Sequence, residues 1–368
     1  MSSSESQSTH LSQDGLAISA VASVADLAWV REFMGSGLLA PCGAPPHVRV
    51  SLVPTTACLM PQGETSAPVA FTFDSEPVRL RAEPTDDGVR LFDLDAGVVF
   101  DVASNAREVA VRYAGSRLSA RVRFMRVIRE YFHNHALDTG RLLLHAAGVV
   151  HKGRAIGISG GKGAGKTTAM LRLLERDDTA FLSNDRVLVD VSRAPRGRGV
   201  PTVVALREGT LRLLPHIASA VRLAGDFRED AKERSARGPA PPVMAAGVVR
   251  LSPRQLCDAV NRPMVHDAPL AAVLFVGPDW QQARDPRRLE PAAAACALAD
   301  CLIGARVGAC ASDVFVTSPG ARLSPHALVA RCADLAASLP CYAVGPLGPG
   351  AAAFLDEILE PPPVAAGA

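Results

Sequence analysis

The residues whose types and spacing best suit chemistry are Gly160, Gly161, Lys162, Gly163, Ala164, Gly165, Lys166 and Thr167. They satisfy the pattern G-x-x-x-x-G-K-[ST]. Glycines let the backbone turn tightly and point several N–H groups inward. Those donors, with the positive end of a following helix, form a site for a polyphosphate. Lys166 would reach the β- and γ-phosphates as a movable point charge, and the Thr167 hydroxyl would ligate Mg²⁺. Thr168 completes the expected cofactor-binding set, with ATP as the nucleotide. Lys162 adds a positive charge to the loop or stands solvated.

Such a site needs a carboxylate for the metal, usually at the end of an apolar strand. The run Phe181 to Val189 carries Asp185 in a strand pattern, and Asp185 is the expected metal partner. Asp190 reads as a hairpin residue instead. His145 lies in an apolar run, Leu142 to Val150, where a lone histidine is ordinarily a hydrogen-bonded core residue. Arg193, Arg196 and Arg198 cluster in an expected turn and could be solvated or receive an acidic substrate. Arg207 and Arg250 sit near strand edges and could meet phosphate charge.

The elements that must position these residues can be read from periodicity. Leu142–Val150 predicts a strand, Lys152 and Gly153 a hairpin turn, and Ala155–Ser159 a second strand. A helix is expected after the loop, to about Glu175. Strands are expected over Phe181–Val191, Thr202–Leu206, Gly247–Leu251 and Ala271–Val276. Helices are expected over Arg254–Val260, Pro291–Ile303 and Pro325–Leu339, each beginning at or after an X-Pro step. Upstream, alternating runs such as His47–Val53, Val78–Ala82 and Val89–Leu94 predict strands. One helix is expected at Val24–Met34 and another from Ser119 to Leu137, the latter with its arginines in solvent.

These elements divide the chain into a disordered tail at 1–15, a β-rich domain at 16–118 and a linking helix at 119–139. An α/β nucleotide-binding domain follows at 140–360, then a disordered tail at 361–368. The charged, Pro-rich stretch from Asp226 to Pro242 predicts a flexible loop that could order over a substrate.

The bulk composition sets limits. The 368 residues are 48% hydrophobic and 21% charged with a net charge of +2, which predicts a globular chain with no global field for nucleic acid or an anionic membrane. Aromatics are 5%, too few for a base-stacking surface. The eight cysteines show no C-x-x-C pair and read as reduced, mostly buried thiols of a cytoplasmic protein. No apolar run reaches membrane-spanning length.

The set formed by His145, the hairpin, the loop Gly160–Thr167 and the segment Ser183, Asn184, Asp185, Arg186 resembles the catalytic domain of HPr kinase/phosphorylase, a family related in fold to phosphoenolpyruvate carboxykinase. The match spans about His145 to Val191, with weaker similarity through Leu251–Leu256 and Ala271–Val276. The resemblance implies a P-loop kinase domain with a mixed sheet, and ATP-dependent phosphotransfer to a hydroxyl on a peptide, protein or small metabolite. It implies catalytic roles for His145, Lys166 and Asp185, and assembly as a homo-oligomer. Two departures stand out. The family's leading aspartate is Asn184 here, and an amide cannot exchange a proton as a carboxylate does. No clear match exists to the segment that mediates phosphorolysis. A nucleotide-gated binding or regulatory protein is therefore the alternative.

Overall fold

Period-two alternation in the first hundred residues folds as one long sheet, and the runs around the glycine-rich loop fold as another. The computed structural model describes residues 6–38, 45–57, 59–61, 66–73, 76–192, 194–224, 227, 247–277, 286–303, 314–315, 323–345, 347, 355–356 and 358. It divides into two units, one reaching to Arg141 with Val314 and Phe315, the other beginning at Leu142. The architecture is mixed α/β.

In the first unit β1 (Gln7–Gln13), β2 (Leu16–Ala22), β3 (Val48–Pro54), β4 (Ser66–Phe73), β5 (Glu76–Thr85), β6 (Gly88–Asp93), β7 (Val98–Ala103) and β8 (Glu108–Tyr113) form one sheet. Its order is β1-β2-β3-β8-β7-β6-β5-β4. The β2–β3 and β3–β8 pairs are parallel and the rest antiparallel. Strand β1 corrects the expected tail over 1–15. Gln7–Gln13 alternates buried and accessible residues and pairs along its length with β2 through the Asp14–Gly15 turn, so its polar composition did not preclude a strand.

Helix α1 (Val24–Met34) matches its expected bounds and is capped by Ser23, whose hydroxyl accepts from the Asp26 N–H. Helix α2 (Arg117–Asp138) packs against β2, β3, β7 and β8 and belongs to this unit; it is no separate linker. The expectation that its arginines are solvated is wrong. Arg121, Arg126 and Arg129 are buried. Arg121 Nε lies 2.7 Å from Asp26 Oδ1, Arg126 Nη2 lies 2.8 Å from Glu130 Oε1, and Arg123 Nε lies 2.6 Å from Asp93 Oδ2. Burial of a guanidinium is sustainable only with such partners.

In the second unit the sheet order is β10-β9-β12-β13-β16-β18-β17, with β11 also on β9. These strands are β9 (Leu142–His151), β10 (Arg154–Ser159), β11 (Thr179–Ser183), β12 (Arg186–Asp190), β13 (Arg196–Gly199), β16 (Asp267–Val276), β17 (Arg287–Arg288) and β18 (Cys341–Val344). Strand β10 additionally pairs β16 in parallel, so the pairings close a circuit through β9, β12, β13 and β16. Strands β14 (Val204–Arg207) and β15 (Val248–Leu251) form a separate pair. The helices are α3 (Lys166–Leu173), α4 (Glu208–Leu213), α5 (Pro215–Leu223), α6 (Pro253–Val260), α7 (Pro291–Asp300) and α8 (Pro325–Ser338).

The core of this unit joins Val149, Ile156 and Ile158 of the hairpin to Met170 and Leu173 of α3 and to Leu274 of β16. That packing fixes α3 against the strands that precede the loop. The β9–β10 turn has Lys152 at φ 47° and Gly153 at φ 78°, the left-handed pair of a two-residue hairpin. Helices α4 and α5 were not anticipated, nor were β13, β17 and β18. Of the expected loop Asp226–Pro242 only Phe227 is described, and the expected tail 361–368 lies outside the described residues.

Candidate functional site

Strand β10 ends at Ser159 in the sheet interior, and the chain must leave it beside the end of β16. Gly160 makes that exit. A β-carbon placed on it would lie 2.1 Å from the Val276 carbonyl oxygen, so only glycine fits. The loop ends at Gly165, the N-cap of α3, in the left-handed region at φ 99° with no side-chain cap. The first amides of α3 are therefore left for another acceptor.

Lys166 folds back over the loop. Its Nζ donates to the Gly160 carbonyl at 2.7 Å and the Gly161 carbonyl at 3.1 Å. Burial lowers its pKa, against the opposing pull of Asp185 and Cys301. Gly161, Lys162 and Gly163 are exposed, while Ala164, Gly165, Thr167 and Thr168 are half-buried. The Thr168 hydroxyl pairs with that of Thr210 on α4 at 3.2 Å.

The expected single strand over Phe181–Val191 is two. β11 and β12 both pair with β9, and Asn184 and Asp185 occupy the break between them. Ser183 holds the break: its hydroxyl donates to the Arg186 carbonyl at 2.7 Å and accepts from the Arg186 N–H at 3.3 Å. A break of this kind lets two consecutive side chains leave the alternation of a strand.

Asp185 Oδ1 lies 3.0 Å from His145 Nε2, and Asp185 Oδ2 lies 3.5 Å from Arg186 Nε. Register places Arg186 directly opposite His145. Burial works to raise the Asp185 pKa, but the His145 hydrogen bond and the charges of Arg186, His145 and Lys166 prevail and hold it at about 2. The carboxylate is thus ionised while its side chain keeps 38% exposure, and that of His145 41%. His145 is no core residue. Its backbone is fixed on both sides: its N–H donates to the Cys301 carbonyl at 2.8 Å, and its carbonyl accepts from Ser159 Oγ at 2.9 Å.

Asn184 makes the remaining link. Its Nδ2 donates to the Val203 carbonyl at 3.4 Å, and its Oδ1 accepts from the Thr167 hydroxyl at 3.3 Å. The structure therefore brings His145, Lys166, Thr167, Asn184, Asp185 and Arg186 to one end of β9 and β10. The Thr167 hydroxyl, the Asn184 amide oxygen and the Asp185 carboxylate are hard oxygen donors, a set that suits Mg²⁺. Asn184, Ser183 and Thr210 were not singled out for these contacts in the sequence, because their partners lie in other elements.

Other expected positions lie apart from this group. Arg196 and Arg198 belong to β13 and pair with Asp267, Arg196 Nη2 at 2.6 Å, rather than forming a free turn cluster. Asp190 ends β12, and Arg207 and Arg250 lie in β14 and β15. Arg193 is outside the described residues. Among the described cysteines, Cys257, Cys332 and Cys341 are buried, Cys301 is intermediate and Cys296 is exposed.

A second polar group lies at the opposite end of the β9–β10 hairpin. His151 is fully buried, 3.2 Å from both Asp178 and Asp356. Arg176 reaches both carboxylates and Lys152 reaches Asp356. These three residues could geometrically hold a metal ion. The two cations already neutralise the carboxylates, so the group reads as an ion-pair network that ties the chain near Asp356 to the hairpin.

No family model matches the sequence, and no curated protein matches it. Among solved structures, the HPr(Ser) kinase/phosphatase from Coxiella burnetii is similar over 40% of this chain and 75% of that chain, at 12% identity and a TM-score of 0.23. A likeness of that size carries no weight for activity. No helix among the described residues is long and apolar enough to cross a membrane.

Proposed function

We propose that this protein is an ATP-dependent kinase that transfers the γ-phosphate to a hydroxyl of a peptide, protein or small-metabolite acceptor. One observation carries the reading: an ionised carboxylate, Asp185, is held against His145 beside the glycine-rich loop and its lysine. A bare nucleotide switch has no need of an accessible Asp–His pair.

In this reading the loop amides from Gly160 to Thr168 and the N-terminus of α3 hold the phosphates. Lys166 leaves its loop carbonyls for the β- and γ-phosphates. Thr167, with Asn184 or Asp185, would hold Mg²⁺, which when bound neutralises phosphate charge. The acceptor oxygen bonds to the γ-phosphorus, the bond from that phosphorus to the bridging oxygen breaks, and ADP leaves with its electron pair. Asp185, oriented by His145, takes the acceptor proton, and Arg186 offsets the charge. Phosphoryl transfer has a loose transition state, so positioning and charge neutralisation supply most of the rate.

The test is incubation with γ-labelled ATP and candidate acceptors, followed by mass spectrometry. Transfer that disappears in Lys166→Ala supports the reading. Turnover unchanged in that variant refutes the site. The second reading, a nucleotide-gated regulatory protein, draws on Asn184, whose amide takes up no proton. Slow ATP hydrolysis without transfer to any acceptor would favour it.

A further inference from the structure

Asn184 and Asp185 are adjacent in sequence but engage different partners. The Val203 carbonyl can only accept a hydrogen bond, so the Asn184 NH₂ must face it and Oδ1 must face Thr167. Asp185 is engaged by His145 and Arg186. We propose that Asn184, and not Asp185, is the cation-side residue of this segment, and that its neutral amide gives the site an unusually low charge. The inference rests on the kinase reading above and deepens it.

The chemistry runs through Thr167. A hydroxyl that ligates a cation through its lone pairs directs its O–H to a hydrogen-bond acceptor. Asn184 Oδ1 is that acceptor, which makes Asn184 a positioning residue. A carboxylate at the same place would do the same while adding a negative charge near the cation. Divalent-cation affinity rises with the charge of the surrounding oxygens. With an amide, the cation is held chiefly by the phosphates it arrives with, so cation and nucleotide bind as one unit. Asp185, kept on the acceptor side by His145 and Arg186, stays available to the incoming hydroxyl.

The experiment measures Mn²⁺ binding by electron paramagnetic resonance on the full chain saturated with a nonhydrolysable ATP analogue. It compares wild type, Asn184→Asp, Asn184→Ala and Asp185→Asn, each checked for a native melting transition. Asn184→Asp should bind Mn²⁺ roughly tenfold more tightly. Asn184→Ala, which removes the Thr167 acceptor, should bind about tenfold more weakly. Asp185→Asn should stay within about twofold of wild type, because His145 and Arg186 hold its carboxylate on the acceptor side. Affinity that falls in Asp185→Asn and is unmoved in both Asn184 variants overturns the assignment and leaves the kinase reading standing. A wild-type chain that binds no analogue overturns both. Should Asn184→Asp fail to fold, Asn184→Ala alone decides, and an unchanged affinity there overturns the proposal.

Discussion

Gly160→Ala should unfold the unit that begins at Leu142 at a markedly lower temperature, while Gly161→Ala should not. The new methyl of Gly160→Ala would lie 2.1 Å from the Val276 carbonyl oxygen and 3.2 Å from both Val276 C and Cγ2. Moving apart by about 0.9 Å only reaches the 3.0 Å below which real contacts do not occur. The severe contact is with a backbone oxygen at the adjoining ends of β10 and β16, so no side-chain rotation relieves it. Forced overpacking costs about 1–3 kcal/mol. The backbone at φ 154° is strained for a side chain, which adds a further ~1–3 kcal/mol. For a unit of this size the sum corresponds to a melting shift on the order of 10 °C. A β-carbon on Gly161 meets nothing within 4 Å, so that change should stay within about 0.5 kcal/mol. Differential scanning calorimetry of the two variants reads the difference. Matching melting temperatures within about 2 °C would refute the claim that the close approach to Val276 anchors the loop.

Other expected outcomes follow from the same contacts. Lys166→Ala should abolish nucleotide binding in calorimetry at saturating Mg²⁺, with the melting temperature little changed, because among the described residues the hydrogen bonds of Lys166 Nζ go to the loop carbonyls of Gly160 and Gly161. Glu130→Gln removes the negative charge that the buried Arg126 meets at 2.8 Å and should destabilise the first unit by up to about 3–5 kcal/mol in denaturant unfolding. A pH series tests the carboxylates. Burial raises the Asp26 pKa, but hydrogen bonds from Arg117, Ser23 and Arg121 outweigh it and leave the pKa lowered, and Asp185 is held at about 2. Depressed folded-state values mean stabilisation that is complete above the unfolded value of about 3.9 and lost as pH falls through the folded values. Asp26→Asn should therefore flatten the acid limb of the first unit. An unchanged acid limb would remove Asp26 from the account.

Local signals made much of this protein legible. The helix Val24–Met34 has its own cap and apolar stripe, and the hairpin at Lys152 and Gly153 needs only two residues able to take left-handed backbone. The spacing of Gly160, Gly165, Lys166 and Thr167 was readable because a glycine-rich turn into a helix is a local device. What failed was whatever depended on distant partners. Arg121 and Arg126 read as solvated because nothing nearby announces Asp26 as an acceptor, and Glu130, four residues on, could as well have been a surface pair. Gln7–Gln13 read as a tail because its strand character comes from pairing with β2.

The candidate site divides along the same line. Sequence alone determined the loop, its lysine and its hydroxyl, since Gly160 to Thr167 are contiguous and need no distant partner to bring them together. Tertiary structure decided that β9 carries both β11 and β12, that the break between them exposes two neighbours to different partners, and that Asp185 meets His145 while Asn184 meets Thr167. No spacing rule could give that division. It follows from strand register and from the direction in which a single amide, pinned by the Val203 carbonyl, must turn its oxygen.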